Sequence, residues 1–275
     1  MAQELALNWR IDAPQLQGLW PGLEGALRGN GQVVGSPKVP RLVAELSGQG
    51  LSFENNRVET LQLSADLAFA AEQALSLDLR AGGLKSDALR WQGLGLQLTG
   101  SASSHRLNLS LKGDDAPSLD LSADAGWTET QLWQGKLLSL ALSLPTQPAW
   151  TLTMAAPVAL GADRQQLDRL CLARDGATLC SEFRQAPKQG WRALLEARQF
   201  PLVTLQPWLP EGLQIKGRGE LQSQLAAVEG GRVQRALPLA GLGRVEGHVN
   251  LPGFDSLAFD SATQALQGEL NIDLK

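Results

Sequence analysis

Between Arg57 and Leu144 apolar and polar residues alternate almost without interruption. Leu61, Leu63, Ala65, Leu67 and Phe69 alternate with Gln62, Ser64, Asp66 and Ala68. The same rhythm recurs in Leu75, Leu77 and Leu79, in Leu94, Leu96 and Leu98, in Leu107, Leu109 and Leu111, in Leu119 and Leu121, and in Leu138, Leu140, Leu142 and Leu144. A period of two marks a strand with one apolar and one polar face. The pattern predicts antiparallel strands near 57–69, 74–81, 88–99, 105–112, 117–126 and 130–144. Turns are expected at Asn55-Asn56, Gly82-Gly83, Ser101 to Ser104, Gly113 to Pro117 and Pro145 to Pro148. The fold class is all-β, a ladder of half-buried strands, and the functional question is what covers so much leucine.

The flanks extend the ladder. Strands are predicted over 3–11 and 41–53, with extended chain from Gly25 to Gly35. Between them Asp12-Ala-Pro14 is a helix-opening sequence, and Leu16, Leu19, Trp20 and Leu23 predict a short amphipathic helix near 13–24. Beyond Trp150, Leu152 and Met154 the pattern loosens, giving a hairpin over 170–180, a strand over 191–197 and a second short helix near 201–209. Strands return at 212–228 and 243–251, and alternation from Leu266 to Leu274 closes the chain. A long-period repeat aligns Trp20 and Leu27-Arg-Gly-Asn-Gly-Gln-Val33 with Trp208 and Ile215-Lys-Gly-Arg-Gly-Glu-Leu221. It suggests modules begun by a helix and extended by strands. A first module then covers 1–198 and a second starts over 199–275, in one continuous sheet. The paired glycines would let that helix approach closely.

Composition sharpens this. There are 53 leucines against 11 valines and 3 isoleucines, although strands generally favour β-branched residues. A surface that meets a fluid partner accounts for the surplus, and so does a GC-rich genome. The net charge of -4, with cations scattered singly, argues against nucleic acid as a partner. No apolar run approaches the ~18 residues of a membrane span, and no signal sequence follows Met1. An internal segment of a longer chain is expected.

Cys171 and Cys180 flank Asp175-Gly176, a hairpin turn signal. Folding about that turn brings the cysteines nearly opposite each other, so a disulfide is expected, with reduced core thiols or a metal or redox pair as alternatives. Catalytic chemistry is not expected. His105 and His248 stand alone, carboxylates are dispersed, and Gly93-Leu-Gly95, Gly241-Leu-Gly243 and Gly29-Asn-Gly31 lack a phosphate-loop context. No cofactor or metal is implied. The eight tryptophans, with no tyrosine, fit packing at the rim of a core with the indole N–H on a backbone carbonyl.

One stretch carries a family likeness. Trp133-Gln-Gly135, Leu138 to Leu144, Trp150-Thr-Leu-Thr-Met154, Pro157-Val-Ala-Leu160 and the two cysteine-bearing strands resemble the middle of the TamB family, of the AsmA-like, bridge-like lipid transfer superfamily. Gly190-Trp-Arg192, Phe200-Pro-Leu202, Trp208-Leu-Pro210 and Gly217-Arg-Gly-Glu-Leu221 continue the likeness, which is most specific over about 126–221. The resemblance implies a long antiparallel sheet rolled into a U-shaped, taco-like groove with a hydrophobic interior. It also implies a periplasmic location in a Gram-negative bacterium, an inner-membrane anchor outside this segment, and an outer-membrane barrel partner, TamA. The cargo it implies is phospholipid, with an older assignment to outer-membrane protein assembly. The groove lining is then expected to be Leu61, Leu63, Leu67, Leu75, Leu77, Leu79, Leu94, Leu96, Leu98, Leu107, Leu109, Leu111, Leu119, Leu121, Leu138, Leu140 and Leu142. The rivals are a chaperone for outer-membrane strands and a β-sandwich or solenoid scaffold with no lipid role.

Overall fold

The computed structural model describes residues 4–18, 20–187, 190–208, 214–227, 241–243, 245–250, 257–260 and 264–266. The chain divides into two compact units, Met1–Ala149 and Trp150–Lys275. In the first, nine strands pair antiparallel in chain order: β1 (Leu5–Ala13), β2 (Leu23–Ser36), β3 (Val39–Phe53), β4 (Asn56–Ala68), β5 (Ala74–Ser86), β6 (Leu89–Ser101), β7 (His105–Gly113), β8 (Ser118–Trp127) and β9 (Trp133–Ser143). The predicted meander is therefore present strand for strand.

The helix expected near 13–24 is not. Asp12 and Ala13 still belong to β1, with Asp12 opposite Arg28 and paired to it at 3.2 Å. Only a single 3-10 turn, Leu16–Gly18, remains, with Leu16 buried. Gly18, Pro21 and Gly22 leave too few residues for a hydrogen-bonded helix to nucleate. A second expectation also fails. Gly82-Gly83 is not a turn but lies inside β5, and the chain reverses at Asp87, whose φ is 49°.

Gly83 belongs to a crease that crosses five strands. Gly25, Gly50 and Gly83 have φ of 105°, 59° and 61°, the left-handed region open to glycine. The ladder slips at Gly25 between β2 and β3 and at Gln92 between β6 and β7. Alternation changes phase along this line. The side chain of Leu51 lies over Gly48, whose added Cβ would sit 2.7 Å from Leu51 Cδ1. Leu51 thus joins the face that carries Leu61, the direct partner of Gly48. Leu51 is opposite Val58, Val58 opposite Leu84, and Leu84 opposite Trp91. Directly paired residues share a face, so all four extend the apolar face past the crease.

The polar face is pinned by ion pairs. Arg41 and Arg106 each grip a carboxylate with two hydrogen bonds, on Asp66 (2.7 and 2.6 Å) and Asp124 (2.7 and 2.8 Å). Hydrogen bonds from Arg41, Arg106 and Arg90 hold the carboxyls of Asp66, Asp124 and Asp115 below the ordinary aspartate range. Arg80, aided by Gln97, does the same for Asp78. A carboxyl lowered on folding adds stability that is complete above its unfolded pKa and disappears as pH falls through the folded value. Stability of the first unit should therefore be flat from neutrality down to about pH 5 and decline below about pH 4. Denaturant melts across pH 3–7 check this, and a decline that begins at pH 6 would contradict it. The pairs are exposed, so the decline should be gentle.

In the second unit β10 (Trp150–Leu152) and β11 (Ala156–Leu160) both pair with β12 (Gln165–Arg174), which continues to β13 (Ala177–Ala186), β14 (Gly190–Pro201) and β15 (Gln214–Ala227). The short strands β16 (Gly241–Gly243), β17 (Val245–Asn250), β18 (Leu257–Asp260) and β19 (Gln264–Leu266) follow; β17 joins β15 and β18, and β16 pairs with β19. Alternation predicted for Leu270 to Leu274 lies outside the described residues. The helix expected at 201–209 is a 3-10 turn, Leu202–Trp208, because Pro201 and Pro207 interrupt the α-helical hydrogen-bond ladder. That turn is anchored through buried Thr204, which accepts from Arg174 Nη2 at 2.8 Å. The Arg174 guanidinium lies 4.7 Å from the ring centre of Trp150, which stacks on Phe200. Each copy of the long-period repeat is a strand, a 3-10 turn and a returning strand. The expected close approach holds at Gly219, where an added Cβ would lie 3.2 Å from Leu202. At Gly31 the neighbour is Trp9 instead.

Candidate functional site

Register converts the leucine pattern into rows that run across the strands of the first unit. Leu46, Leu63, Leu79, Leu96, Leu109, Leu121 and Leu140 are successive direct partners from β3 to β9. On one side lies the row Leu27, Gly48, Leu61, Ala81, Leu94, Leu111, Leu119 and Leu142. On the other lies Ala44, Ala65, Leu77, Leu98, Leu107, Ala123 and Leu137. From Leu27 to Leu142 and from Ala44 to Leu137 these rows contain no polar side chain.

Every leucine of the central row is half-buried, neither enclosed nor fully exposed. The buried apolar residues among these rows are small ones, Ala44, Ala65, Ala81 and Ala123, together with Leu137. Among the described residues no large side chain is fully enclosed, and the strands of this unit belong to one sheet. A sandwich core would instead enclose leucine between two sheets about 10 Å apart.

Of the seventeen expected lining residues, fifteen are half-buried. Leu75 is buried at 8% exposure, at the strand start beyond the rows. Leu138 is displaced. The β8–β9 register passes from Ser122 opposite Ser139 to Ala123 opposite Leu137, which leaves Leu138 unpaired and 39% exposed while Leu137 takes its place in the row. The Leu137-Leu138 doublet fits either phase, so alternation alone could not choose. Leu51, Val58, Leu84 and Trp91 were missed. Their signal was a three-residue step where two was expected, in Gly48 to Leu51, Val58 to Leu61, Ala81 to Leu84 and Trp91 to Leu94.

The opposite face is polar in equal register: Asn30, Glu45, Ser64, Asp78, Gln97, Asn108, Ser122 and Ser139 are successive partners. Two open hollows of about 570 and 540 Å³ lie over it, lined by residues such as Arg28, Glu45 and Asp78, and Gln97, Asn108 and Asp120. Neither contains a nucleophile–base pair. His105 is buried at 5%, and Trp133 Nε1 donates to its Nε2 at 2.7 Å. An indole nitrogen can only donate, so Nδ1 carries the proton and donates to the Ser101 carbonyl at 2.9 Å. Both ring nitrogens are thereby engaged in structure. The His248 side chain lies outside the described residues. No group of three or more His, Cys, Asp or Glu among the described residues could hold a metal ion, and no described helix is long and apolar enough to cross a membrane.

Cys171 and Cys180 are directly opposite, 4.0 Å apart at Cα, and disulfide-bonded. The turn between them is the expected one, with Asp175 and Gly176 at φ of 48° and 80°, the geometry of a two-residue hairpin loop.

The family model described as TamB, N-terminal domain, matches residues 1–275. The Translocation and assembly module subunit TamB of Haemophilus influenzae is 25% identical over 137 residues, which is 49% of this chain and 10% of that protein. The chain therefore spans a small part of that relative's length. No solved structure matches it.

Proposed function

Since the chain belongs to the TamB N-terminal domain family, we propose that it is a length of a conduit that carries phospholipid between inner and outer membranes along its leucine face. The observation that carries this reading is the unbroken row from Leu46 to Leu140, half-buried and apolar across seven adjacent strands. A phospholipid has roughly 30 methylene-class carbons, whose exposure to water costs on the order of 25 kcal/mol. Passage through an aqueous compartment therefore needs a continuous apolar surface, and these rows offer one without a polar interruption.

Family membership supports a role in envelope translocation, assembly or lipid transport, and the face itself favours acyl chains over polypeptide. An unfolded strand pressed on leucine would leave its backbone N–H and C=O groups without partners, a penalty of several kcal/mol for each. An acyl chain has no such groups. The sheet rolls, in this proposal, into a U-shaped groove with the leucine face inward, and each strand–turn–strand start opens a module. The Cys171–Cys180 disulfide fits an oxidising compartment such as the periplasm. The inner-membrane anchor and the pairing with the barrel protein TamA belong to the full-length protein in this reading.

Mass spectrometry of lipids copurifying with the protein, with a photocrosslinker at position 96, tests it. Diacyl phospholipid should be recovered and should crosslink at that position. Recovery of polypeptide adducts with no lipid would transfer the function to protein assembly.

A further inference from the structure

We infer that the 3-10 turn Leu202–Trp208 is an autoinhibitory strap, which occupies part of the apolar face of the second unit and must lift before an acyl chain can lie there. This rests on the lipid reading and adds to it a point of control. Register shows which face the turn covers. Leu152, Leu172, Leu179, Ala197 and Leu221 are successive partners across β10, β12, β13, β14 and β15, an apolar row like those of the first unit. Two residues from members of this row, and so on the same face, stand Trp150, Arg174, Ala177 and Gly219. Arg174 is opposite Ala177, and Phe200 is opposite Gly219. A Cβ added at Gly219 would project from that face and lie 3.2 Å from Leu202 Cδ2. Leu202 therefore rests on the apolar face, over a glycine that leaves room for it.

Burial gives the turn an inner and an outer side. Leu202 and Thr204 are buried at 8% and 5% exposure, while Val203 and Leu205 are exposed at 49% and 39%. On the face itself Trp150, Leu172, Ala177 and Ala197 are buried as well. The central leucine row of the first unit is only half-buried, so the apolar face is covered here and open there.

The forces that hold the strap down oppose one another. Arg174 places a cation on an apolar face, and the Thr204 hydroxyl that accepts from its Nη2 at 2.8 Å is carried by the strap. Lifting the strap exposes the Leu202 side chain, which is unfavourable, and returns the guanidinium to water, which is favourable. Pro201 and Pro207 contribute no backbone N–H to hold the segment in place. Closure therefore rests on a difference between opposing terms. An acyl chain that takes over the contacts of Leu202 binds the open state alone and shifts the balance toward it.

Photocrosslinking of dioleoyl phosphatidylglycerol to the full chain, with the crosslinker at position 179 or at position 96, separates this inference from the reading beneath it. Position 179 belongs to the row beside the strap, and position 96 to the open face of the first unit. Leu202→Ala should raise the lipid yield at position 179 about tenfold, because more molecules are already open, and leave the yield at position 96 unchanged. Gly219→Ala, whose methyl takes the seat of Leu202 at a backbone conformation outside the left-handed region, should act in the same direction. Val203→Ala, on the outer side of the strap, should change neither yield. Hydrogen exchange of residues 202–208 in the wild-type protein should quicken when lipid is added. If lipid crosslinks at position 96 while the yield at position 179 is the same in wild type, Leu202→Ala and Gly219→Ala, the strap is a fixed wall and the inference is refuted, with the lipid reading intact. Slower exchange of the strap with lipid bound would refute it in the same way. If lipid crosslinks at neither position in any variant, both are refuted.

Discussion

Leu96→Asp should leave the protein folded and empty of lipid. Leu96 is half-buried at the middle of the central row, between Leu79 and Leu109. Because the site is open on one side, the carboxylate can stay hydrated, and the cost to stability should be about 1–2 kcal/mol, near that of the leucine burial lost. The cost to lipid is of another order. An acyl chain crossing that point must strip water from an ionised carboxylate, a penalty of several kcal/mol, so recovered lipid should fall by more than about tenfold. Leu96→Ala, which keeps the row apolar, should lose far less. Lipid recovery from a folded Leu96→Asp protein at wild-type levels would falsify the conduit reading.

The second large effect is expected at the crease. Alanine at Gly50 and Gly83 would hold an L side chain at φ near 60°, costing about 1–2 kcal/mol at each position and about 2–4 kcal/mol together. The added Cβ meets nothing within 4 Å at Gly50, and at Gly83 its three nearest atoms all belong to the flexible Glu59 side chain. The cost is therefore backbone strain and not collision. Asparagine, which tolerates this region better, should be the milder substitution at both sites. Urea melts of the four single variants and the double alanine variant check the ranking. Alanine variants as stable as wild type would mean that the crease is not a strained feature. Straightening the strands to escape the strain would move Leu51, Val58, Leu84 and Trp91 to the polar face, since a phase change of one residue inverts every side chain beyond it.

The fold was legible wherever one residue in two was leucine, because a half-buried antiparallel strand has no other repeat. Strands β3 to β9 were placed within a few residues for that reason. The two predicted helices were misread because short apolar spacings of three and four, as at Leu16, Leu19 and Trp20, also arise where chain turns between strands. The glycines and prolines that shortened both segments were the better guide. Gly82-Gly83 looked like a turn because the sequence does not distinguish a glycine that reverses the chain from one that creases it. Only its neighbours decide, and here Gly50 and Gln92 lie at the same level on other strands. The candidate face was legible in composition, but the alignment of its leucines into rows was not. Register comes from hairpin geometry, and Leu138 shows how one bulge can move a residue off a face that its phase had assigned to it.

Rows that follow the pairing register give the first unit the properties of a ruler. Each strand extends the apolar path by about 4.8 Å. Leu63 of β4 and Leu109 of β7 occupy the same row, so removing the intervening hairpin would still bring leucine opposite leucine. Duplicating it would add about 10 Å of path. A chain built this way can set the length of its apolar path by counting hairpins, without redesigning any one of them.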